Sequence, residues 1–535
     1  MVMHVRRPRL ALVPFVLAAC TSTPPAGDDE ASGDSSSDSS SDGASETGSD
    51  DATSDSETGE GETLAATLTH HFGEVALAAF EEDADSCVIW TLDNDEALYV
   101  QAVTLANLGY WHHSNWFAVP EDTYPGPDGY FKCADRGFTE LGAAVAGIVL
   151  TAQSTQSFVE TQRTSDGAVI KIPPRHAIVS TIHLLNTGPA PIATDLWMTL
   201  DLLHPKLVDA VLAPFQLTYF DLDIPAGSEA RYTGKCDDFG AQFESLAGKP
   251  VDIALHYVLP HYHYLGNYFD LSIVGGELDG QSVFQHQGFN GEANGRAFDP
   301  PLQLTGATGL HFTCGYDNWL DHDVGWGNAD GEMCVMLGLV DSAIMMDMRT
   351  ESGTVATGQT PEGVYEFEGP CSTLAFLKNP AQTMPSPEEI AAPLYVPPTQ
   401  PGDEGQPSVP VCVDHDPSVQ PDIAPTLSNI YDMVFNQSCA FNSCHGGGAA
   451  AGGLDLHATD LHAALLGHDT QANPGMALVE PGDPDNSWLY QIMSQCAPMG
   501  ASGLVGHMPR NAPVLLDDRA VALVREWIAA GALDD

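Results

Sequence analysis

Positive charge is scarce in this sequence. Its 535 residues include 18 Lys and Arg against 73 Asp and Glu, which gives a formal net charge of −55 at pH 7. Nucleic acids and anionic membrane surfaces are bound through basic patches, so we expect neither to be a partner of the folded chain. The acidic excess favours solubility and cationic counter-ions, and by itself it indicates no particular reaction.

The apolar segment near the start of the chain, Leu10–Ala19, is too short to cross a bilayer as a helix, which takes about 20 residues. Because it follows a basic start, it is typical of a secretory signal peptide over residues 1–19. The letters LAAC, which end at Cys20, resemble a bacterial lipobox. The resemblance implies lipidation of Cys20 and an exported lipoprotein anchored to the outer membrane, at its periplasmic face or at the cell surface. An ordinary signal peptide with an incidental cysteine is the alternative.

Two further segments have the composition of connectors. Residues 20–62 are Ser, Asp, Glu and Gly with almost no apolar side chains. They cannot bury enough surface to fold, and their charges repel, so we expect a disordered acidic tether. Residues 379–420 are rich in Pro and predict a semi-rigid linker.

The rest of the chain divides into a β-rich part and a helical part. Short runs of β-forming residues, separated by Gly, Pro, Asn and Asp, predict antiparallel sandwiches. Their extent suffices for two such domains, over 63–212 and 213–378. Residues 421–535 contain DDRAVALVREWIAAGA, an amphipathic helix pattern with a Gly stop. The fold prediction is therefore mainly β, followed by a small α-helical domain.

Two histidine patterns could bind a metal. In HYH, His261 and His263 would lie on the same face of a strand, so their imidazoles converge on one point. Imidazole suits Cu, Zn, Fe or Ni. The alternative is two rings on a wet strand face. In WHHS, His112 and His113 are adjacent, so a regular strand would point them to opposite faces, and only a strand end or bulge could turn both toward one ion.

Three motifs follow one another in the second half of the β-rich part: HYHYLG, TCGYDNW and GWGNADGEMCVM. Their order resembles that of the copper type II, ascorbate-dependent monooxygenases. This is the family of peptidylglycine α-hydroxylating monooxygenase and dopamine β-monooxygenase. The resemblance implies that His261, His263 and Met333 hold a copper ion that binds O2 next to the substrate C–H bond. A thioether beside two imidazoles stabilises Cu(I) and is a poor choice for Zn.

The resemblance also implies a second copper, held by His112, His113 and His183, which stores and delivers the second electron. His176 is the weaker candidate for the third ligand. The family fold is two jelly-roll-like β-sandwiches, with one copper on each, that face one another across a solvated cleft. Ascorbate is the reductant of the animal enzymes. The resemblance covers about Ser86 to Cys371.

The chain has 11 cysteines, and export permits disulfides. Sequence alone cannot give their connectivity. The resemblance implies the pairs Cys87–Cys133, Cys236–Cys371 and Cys314–Cys334. Cys412 and Cys496 remain and could pair.

The chain departs from the peptide-amidating members of the family where they grip a substrate carboxylate. The matching positions here are Leu259, Val335 and Leu337, all apolar. A peptide with a free carboxylate is therefore not the expected substrate. The apolar residues at these positions favour a neutral or aromatic compound.

The stretch SCAFNSCHGG resembles the haem attachment of cytochrome-c-like domains found in exported bacterial multidomain proteins. The usual motif is C-x-x-C-H, whereas four residues separate Cys439 from Cys444 here. The resemblance implies a haem c bound by these cysteines and His445, with Met508 as the sixth iron ligand; a His/Met pair raises the haem potential. The alternatives are a Cys439–Cys444 disulfide, a structural metal site, or a different axial ligand, for which the candidates are Met499 and His507.

These observations predict a copper-dependent monooxygenase that hydroxylates a C–H bond of a small organic substrate with O2. The one-electron reductant would be ascorbate or the tethered haem. The alternative is a non-catalytic copper-binding or electron-transfer lipoprotein. A third hypothesis is a β-sandwich protein that binds carbohydrates or surfaces.

Overall fold

The computed structural model describes residues 63–535 with short gaps. These gaps are 154–157, 264, 288–294, 319, 321, 328–330, 378–380, 401, 404–410, 442–443, 447–450, 469, 471, 502, 510–511 and 513, together with the side chains of residues 112, 113, 141, 153, 503 and 504. The signal peptide, the lipidation at Cys20 and the acidic tether are predictions that lie outside the described residues. The described chain is mainly β, which confirms that part of the fold prediction. No helix within it is both long and apolar enough to cross a membrane.

The first half of the β-rich part forms two sheets around one core, which we call the first sandwich. Alternation of buried and partly exposed residues, as in LWMTLDLL, is the period-two pattern expected of its strands. The strands are β1 (Ala65–His71), β2 (Val75–Leu77), β3 (Glu82–Thr91), β4 (Leu98–Asn107), β5 (Trp111–Pro120), β6 (Gly129–Lys132), β7 (Ile148–Gln153), β8 (Val159–Arg163), β9 (Ala168–Ile172), β10 (His176–Leu185), β11 (Ile192–Thr194), β12 (Leu196–Leu203) and β13 (Ala210–Val211).

One sheet of the first sandwich has the order β1-β12-β4-β9-β13, with β8 beside β4, and the other has the order β6-β3-β10-β5-β7. Strands β2 and β11 form a separate pair. The apolar core between the sheets includes Trp90, Trp116 and Leu200. The helix α1 (Glu140–Ala146) covers part of the outer face of the five-stranded sheet. Single 3-10 turns occupy Cys133–Arg136 and Pro205–Leu207.

The second sandwich has two six-stranded sheets, ordered β20-β17-β23-β14-β24-β27 and β19-β18-β21-β16-β26-β25, and a separate pair, β15 and β22. Its core includes Phe269, Phe312 and Met336. Its elements are β14 (Ala213–Tyr219), β15 (Asp223–Ile224), β16 (Ser228–Cys236), α2 (Phe239–Ala247), β17 (Ala254–His261), β18 (Gly266–Gly275), β19 (Ser282–Gln287), β20 (Arg296–Gln303), β21 (Ala307–Asn318), β22 (Val324–Gly325), β23 (Val335–Val340), β24 (Ile344–Thr350), β25 (Val355–Gln359), β26 (Tyr365–Pro370) and β27 (Ser372–Leu377).

The two sandwiches contact one another through the sheet that contains β17 and β23. Leu337 packs against the outer-face cluster of the first sandwich, which includes Phe117 and Val179. A buried hydrogen bond of 2.7 Å joins Ser165 Oγ to His256 Nδ1. Side chains alternate along a strand, so the residues of β23 that share a face with Leu337 point toward the first sandwich.

Four disulfides join Cys87 to Cys133, Cys236 to Cys371, Cys314 to Cys334 and Cys412 to Cys496. The first three are the pairs that the family resemblance implies, and the fourth joins the two cysteines left over. Four bridges in one chain are consistent with an extracellular or periplasmic protein.

Part of the Pro-rich segment, residues 386–403, lies against the first sandwich, and we call it the strap. It begins with the short helix α3 (Pro387–Ala391), which a Ser386–Glu389 capping box starts. Its polar contacts with the first sandwich are Glu389 with Lys171, Tyr395 with Asp95, Gln400 with Thr91, and Asp403 with His70 and His71. The composition indicated a semi-rigid spacer, whereas this portion is docked by long-range hydrogen bonds.

Residues 412–535 form a helical unit with its own apolar core, which includes Ile430, Trp488 and Trp527. Its helices are α4 (Leu427–Ile430), a π-helical turn (Tyr431–Phe435), α5 (Asn436–Ser438), α6 (Leu461–Gly467), α7 (Trp488–Ser494) and α8 (Asp518–Ala529), with 3-10 turns at Ala451–Gly453 and Pro484–Asn486 and a pair of two-residue strands, β28 (Met499–Gly500) and β29 (Gly503–Leu504). We call it the C-terminal unit.

Candidate metal and haem sites

His261 ends β17, and His263 follows two residues later. Their ring centroids lie 5.1 Å apart, with the ring planes at 72°. Two imidazoles that bind one ion through nitrogens at about 2.0–2.1 Å have centroids about 5 Å apart at tetrahedral angles. The two rings therefore have the spacing of a shared ion.

The proton of the His263 ring is placed by a hydrogen bond. Nδ1 donates to the carbonyl oxygen of Gly331 at 2.8 Å, which leaves Nε2 with its lone pair. Burial lowers the pKa of His263, so the ring is neutral near pH 7. A neutral imidazole oriented by a backbone carbonyl is the form that binds metals.

Met333 lies just before β23, and its backbone is close to that of His263. It immediately precedes Cys334, whose disulfide with Cys314 fixes the segment, and it is 2% exposed. Its carbonyl accepts a 2.8 Å hydrogen bond from the Tyr316 hydroxyl. Two residues later Val335 pairs with His261 in the register of β17 and β23. The three residues predicted to bind one copper are thus brought together by this strand pairing.

Glu332, which the sequence did not single out, holds the two segments together. Its Oε2 accepts the backbone N–H groups of His263 at 2.8 Å and Met333 at 3.2 Å. Its Oε1 accepts the N–H of Leu265 at 2.7 Å. The side chain is fully buried, and burial raises its pKa to about 8 although the three N–H groups oppose that rise. A Glu directly before the predicted Met was the available signal.

The backbone of the first sandwich contains the irregularity that the adjacent histidines require. His113 lies opposite His183 in the pairing of β5 with β10, and Leu184 lies opposite Trp111. His112 is therefore the extra residue of a β-bulge. The side chains of His112 and His113 lie outside the described residues.

His183 is oriented by a carboxylate that the sequence did not indicate. Its Nε2 lies 2.8 Å from Glu82 Oε1. A carboxylate bonded to one ring nitrogen fixes the orientation of a histidine that binds a metal through the other nitrogen. His176 lies at the opposite end of β10, where it pairs with Pro120. Seven residues of strand are about 23 Å, which separates His176 from the histidine pair.

A second carboxyl group lies near these strands. Glu140 of α1 accepts hydrogen bonds from Asn115 Nδ2 at 3.0 Å and Thr181 Oγ1 at 3.1 Å. Asn115 lies two residues from His113 in β5, and Thr181 lies two residues from His183 in β10. Burial raises the pKa of Glu140 to about 7.

The described side chains form no group of three or more His, Cys, Asp or Glu residues placed to hold a metal ion. Neither predicted copper site consists of three such side chains within the described residues. The site predicted in the second sandwich has methionine as its third ligand, and the site predicted in the first sandwich includes the side chains of His112 and His113, which lie outside the described residues.

The three apolar residues at which the chain departs from the peptide-amidating enzymes, Leu259, Val335 and Leu337, lie near His261 in the sheet. Leu259 pairs with Leu337, one strand period away from the pairing of His261 with Val335. Leu259 is 5% and Val335 is 3% exposed. These three positions therefore provide no charged side chain that could bind a substrate carboxylate beside His261.

In the C-terminal unit, Cys439 follows helix α5, and neither Cys439 nor Cys444 is joined in a disulfide. Burial raises the pKa of Cys439 to about 12, so it is a thiol. His445 Nδ1 donates to the carbonyl of Leu454 at 3.2 Å, and burial lowers its pKa. This leaves Nε2 with a lone pair, as an axial haem ligand requires.

The loop that follows closes tightly. A Cβ at Gly446 would collide with the carbonyl oxygen of Ala440, so only glycine fits after the histidine. Met508 and Cys439 both pack against the apolar core of the unit. Met499 is 60% exposed, which makes it the poorer sixth ligand. These residues fit a haem c in their donor chemistry, since they offer two thiols, an imidazole nitrogen and a thioether.

No protein-family model and no curated protein matches the chain. Among solved structures, it overlaps with the PBCV-1 VP54 protein fitted into the Sputnik virophage, at 7% identity and a TM-score of 0.20, over 52% of this chain and 94% of that chain. A Sulfolobus turreted icosahedral virus structure overlaps at 6% identity and a TM-score of 0.14, over 50% of this chain and 59% of that chain. Infectious bursal disease virus VP2 overlaps at 10% identity and a TM-score of 0.13, over 54% and 72%. TM-scores this low carry no argument about function.

Proposed function

We propose that the protein is a copper-dependent monooxygenase that hydroxylates a C–H bond of a small, neutral or aromatic compound with O2 and a one-electron reductant. The observation that carries the proposal is the 5.1 Å spacing of the His261 and His263 rings, with the backbones of His263 and Met333 bonded to the same buried Glu332 side chain. Two imidazoles and a thioether form a donor set that favours Cu(I) over Zn.

The copper held by these three residues would supply O2 activation. The chain's own residues would set its surroundings. Glu332 fixes the backbone of His263 and Met333, and Gly331 keeps the Nε2 of His263 turned toward the ion. Leu259 beside them would exclude water and favour an uncharged substrate.

His112, His113 and His183 would hold the second copper, which stores an electron, and Glu82 would orient His183. Cys439, Cys444 and His445 would hold a haem c, with Met508 as its sixth ligand. The haem or ascorbate would then supply electrons singly. The same proposal includes jelly-roll-like sandwiches, a cytochrome-c-like C-terminal unit and a lipid anchor at Cys20.

The test is metal content together with reductant-driven hydroxylation by the full chain. We expect about two copper ions per chain and loss of hydroxylation in His261→Ala and Met333→Ala, because each removes a ligand from a soft-metal site. Met336→Leu is the matched control, since this buried methionine points into the core of the second sandwich. Zinc in place of copper would refute the proposal.

A second candidate function is copper binding or electron transfer without catalysis. It is favoured by Leu259, Val335 and Leu337, which stand where the peptide-amidating enzymes bind substrate. In that case ascorbate would reduce the bound copper, but no compound in a panel of neutral and aromatic substrates would be hydroxylated by O2.

A further inference from the structure

The C-terminal unit is bonded to the first sandwich next to a predicted haem cysteine. Ser438 Oγ donates a 2.5 Å hydrogen bond to the carbonyl oxygen of Thr187, and both residues are buried. Ser438 immediately precedes Cys439. Thr187 comes two residues after the end of β10, the strand that contains His183.

The strap, which precedes the C-terminal unit in the chain, is bonded to the same sandwich. Asp403 Oδ1 accepts the N–H of His71 at 2.9 Å and lies 2.9 Å from His70 Nδ1. The ring of His71 in turn lies 2.6 Å from Asp195, and Asp195 is 5% exposed. The strap is therefore fixed to a buried polar cluster and not to a loose surface loop.

This cluster also contacts the turn that leads to the histidine pair. The carbonyl of Asp195 accepts the N–H of Leu108 at 3.2 Å, and Thr194 Oγ1 donates to the carbonyl of Gly109 at 2.5 Å. His112 follows Gly109 by three residues. Ser438 thus meets the first sandwich just beyond the end of β10 that carries His183, whereas the strap also contacts Thr91, at the opposite end of that strand pairing.

We propose that Ser438, with the strap fixed to the same sandwich, docks the C-terminal unit on the end of the first sandwich that carries His112, His113 and His183, so that this site receives electrons from the C-terminal unit. The inference rests on the proposed function. The step is one electron, which oxidises Fe(II) to Fe(III) in the haem and reduces Cu(II) to Cu(I), with no bond formed or broken. A small-molecule one-electron donor such as ascorbate replaces the electron on the haem.

Docking is tested without any cofactor, by hydrogen exchange and mass spectrometry on the metal-free full chain. Ser438→Ala should raise exchange in residues 185–188, because loss of one hydrogen bond lowers the ratio of docked to free unit by about three- to tenfold. Asp403→Ala should do the same for the strap. Ser428→Ala is the matched control, since it removes a hydroxyl–carbonyl bond to Asp535 inside the C-terminal unit. Unchanged exchange in both docking variants would overturn the proposal.

The electron route is tested on the full chain loaded with haem and Cu(II), without O2 or substrate. A photosensitiser flash reduces the haem, and its absorbance reports reoxidation. We expect reoxidation to persist in His261→Ala, to be lost in His183→Ala and to slow in Ser438→Ala. The reverse pattern for the two histidine variants would overturn the proposal. Absence of a Soret band or of copper would instead refute the proposed function, while the exchange experiment would still decide the docking.

Discussion

The Glu332→Gln substitution tests how the site in the second sandwich is held. A carboxyl group can accept on both of its oxygens, whereas an amide offers one oxygen and one NH2 group. Glu332 accepts two backbone N–H groups on one oxygen and one on the other. In either orientation the glutamine therefore leaves at least one buried N–H without its acceptor. The expected loss is about 1–3 kcal/mol in the free energy of unfolding.

The same substitution should alter the pH dependence of stability. Burial raises the pKa of Glu332 to about 8 from its ordinary value of 4.5, so the folded chain holds this proton more tightly than the unfolded chain. The group's stabilisation is full below pH 4.5 and is lost as pH rises toward 8, at about 1.4 kcal/mol for each pH unit. Glutamine does not titrate, so the variant should be least stable relative to the wild type near pH 5 and should gain stability relative to the wild type as pH rises toward 8.

The assay is urea unfolding of the metal-free protein at several pH values, followed by titration with Cu(I). Glu362→Gln in the same sandwich is the control, because that side chain is exposed. We expect copper affinity to fall about 10- to 100-fold in Glu332→Gln, as for other residues that orient metal ligands. Equal unfolding free energies and equal copper affinities for the variant and the wild type would refute the role given to Glu332.

Three further outcomes are expected. Glu82→Gln should weaken copper binding in the first sandwich about tenfold and leave the second site unchanged, because only His183 loses its carboxylate partner; equal loss at both sites in a copper titration would contradict this. Because burial raises the pKa of Glu140 to about 7, its contribution to the free energy of unfolding is complete below pH 4.5 and is lost as pH rises toward 7. Glu140→Gln should remove this pH dependence, so an unaltered pH profile of urea unfolding would contradict the prediction. His445→Ala should abolish the low-spin haem spectrum of periplasmically expressed protein while His507→Ala retains it, and the opposite result would identify His507 as the iron ligand.

The sequence predicted the mainly β fold because strand alternation and turn residues are local signals. It also predicted that His261 and His263 share a face, since that follows from the two-residue period. The strand register, which the sequence does not give, places His183 opposite His113 and His176 opposite Pro120, so the choice of His183 as the third ligand stays a prediction that this register favours.

Other features depend on contacts between distant parts of the chain. The carboxylate of Glu332 contacts Leu265, 67 residues earlier, and Asp403 of the strap contacts His71, 332 residues earlier. Composition and periodicity describe neighbours in sequence, so neither indicates such pairs. For the same reason a Pro-rich segment was expected to be a spacer, although hydrogen bonds dock part of it on the first sandwich.

The most direct test of the central claim is copper K-edge X-ray absorption on the ascorbate-reduced full chain. We predict a sulfur neighbour of copper in the wild type, its loss in Met333→Leu and its retention in Met336→Leu. A wild-type spectrum with nitrogen and oxygen neighbours alone, or a sulfur neighbour that persists in Met333→Leu, would contradict the assignment of His261, His263 and Met333 as a copper site.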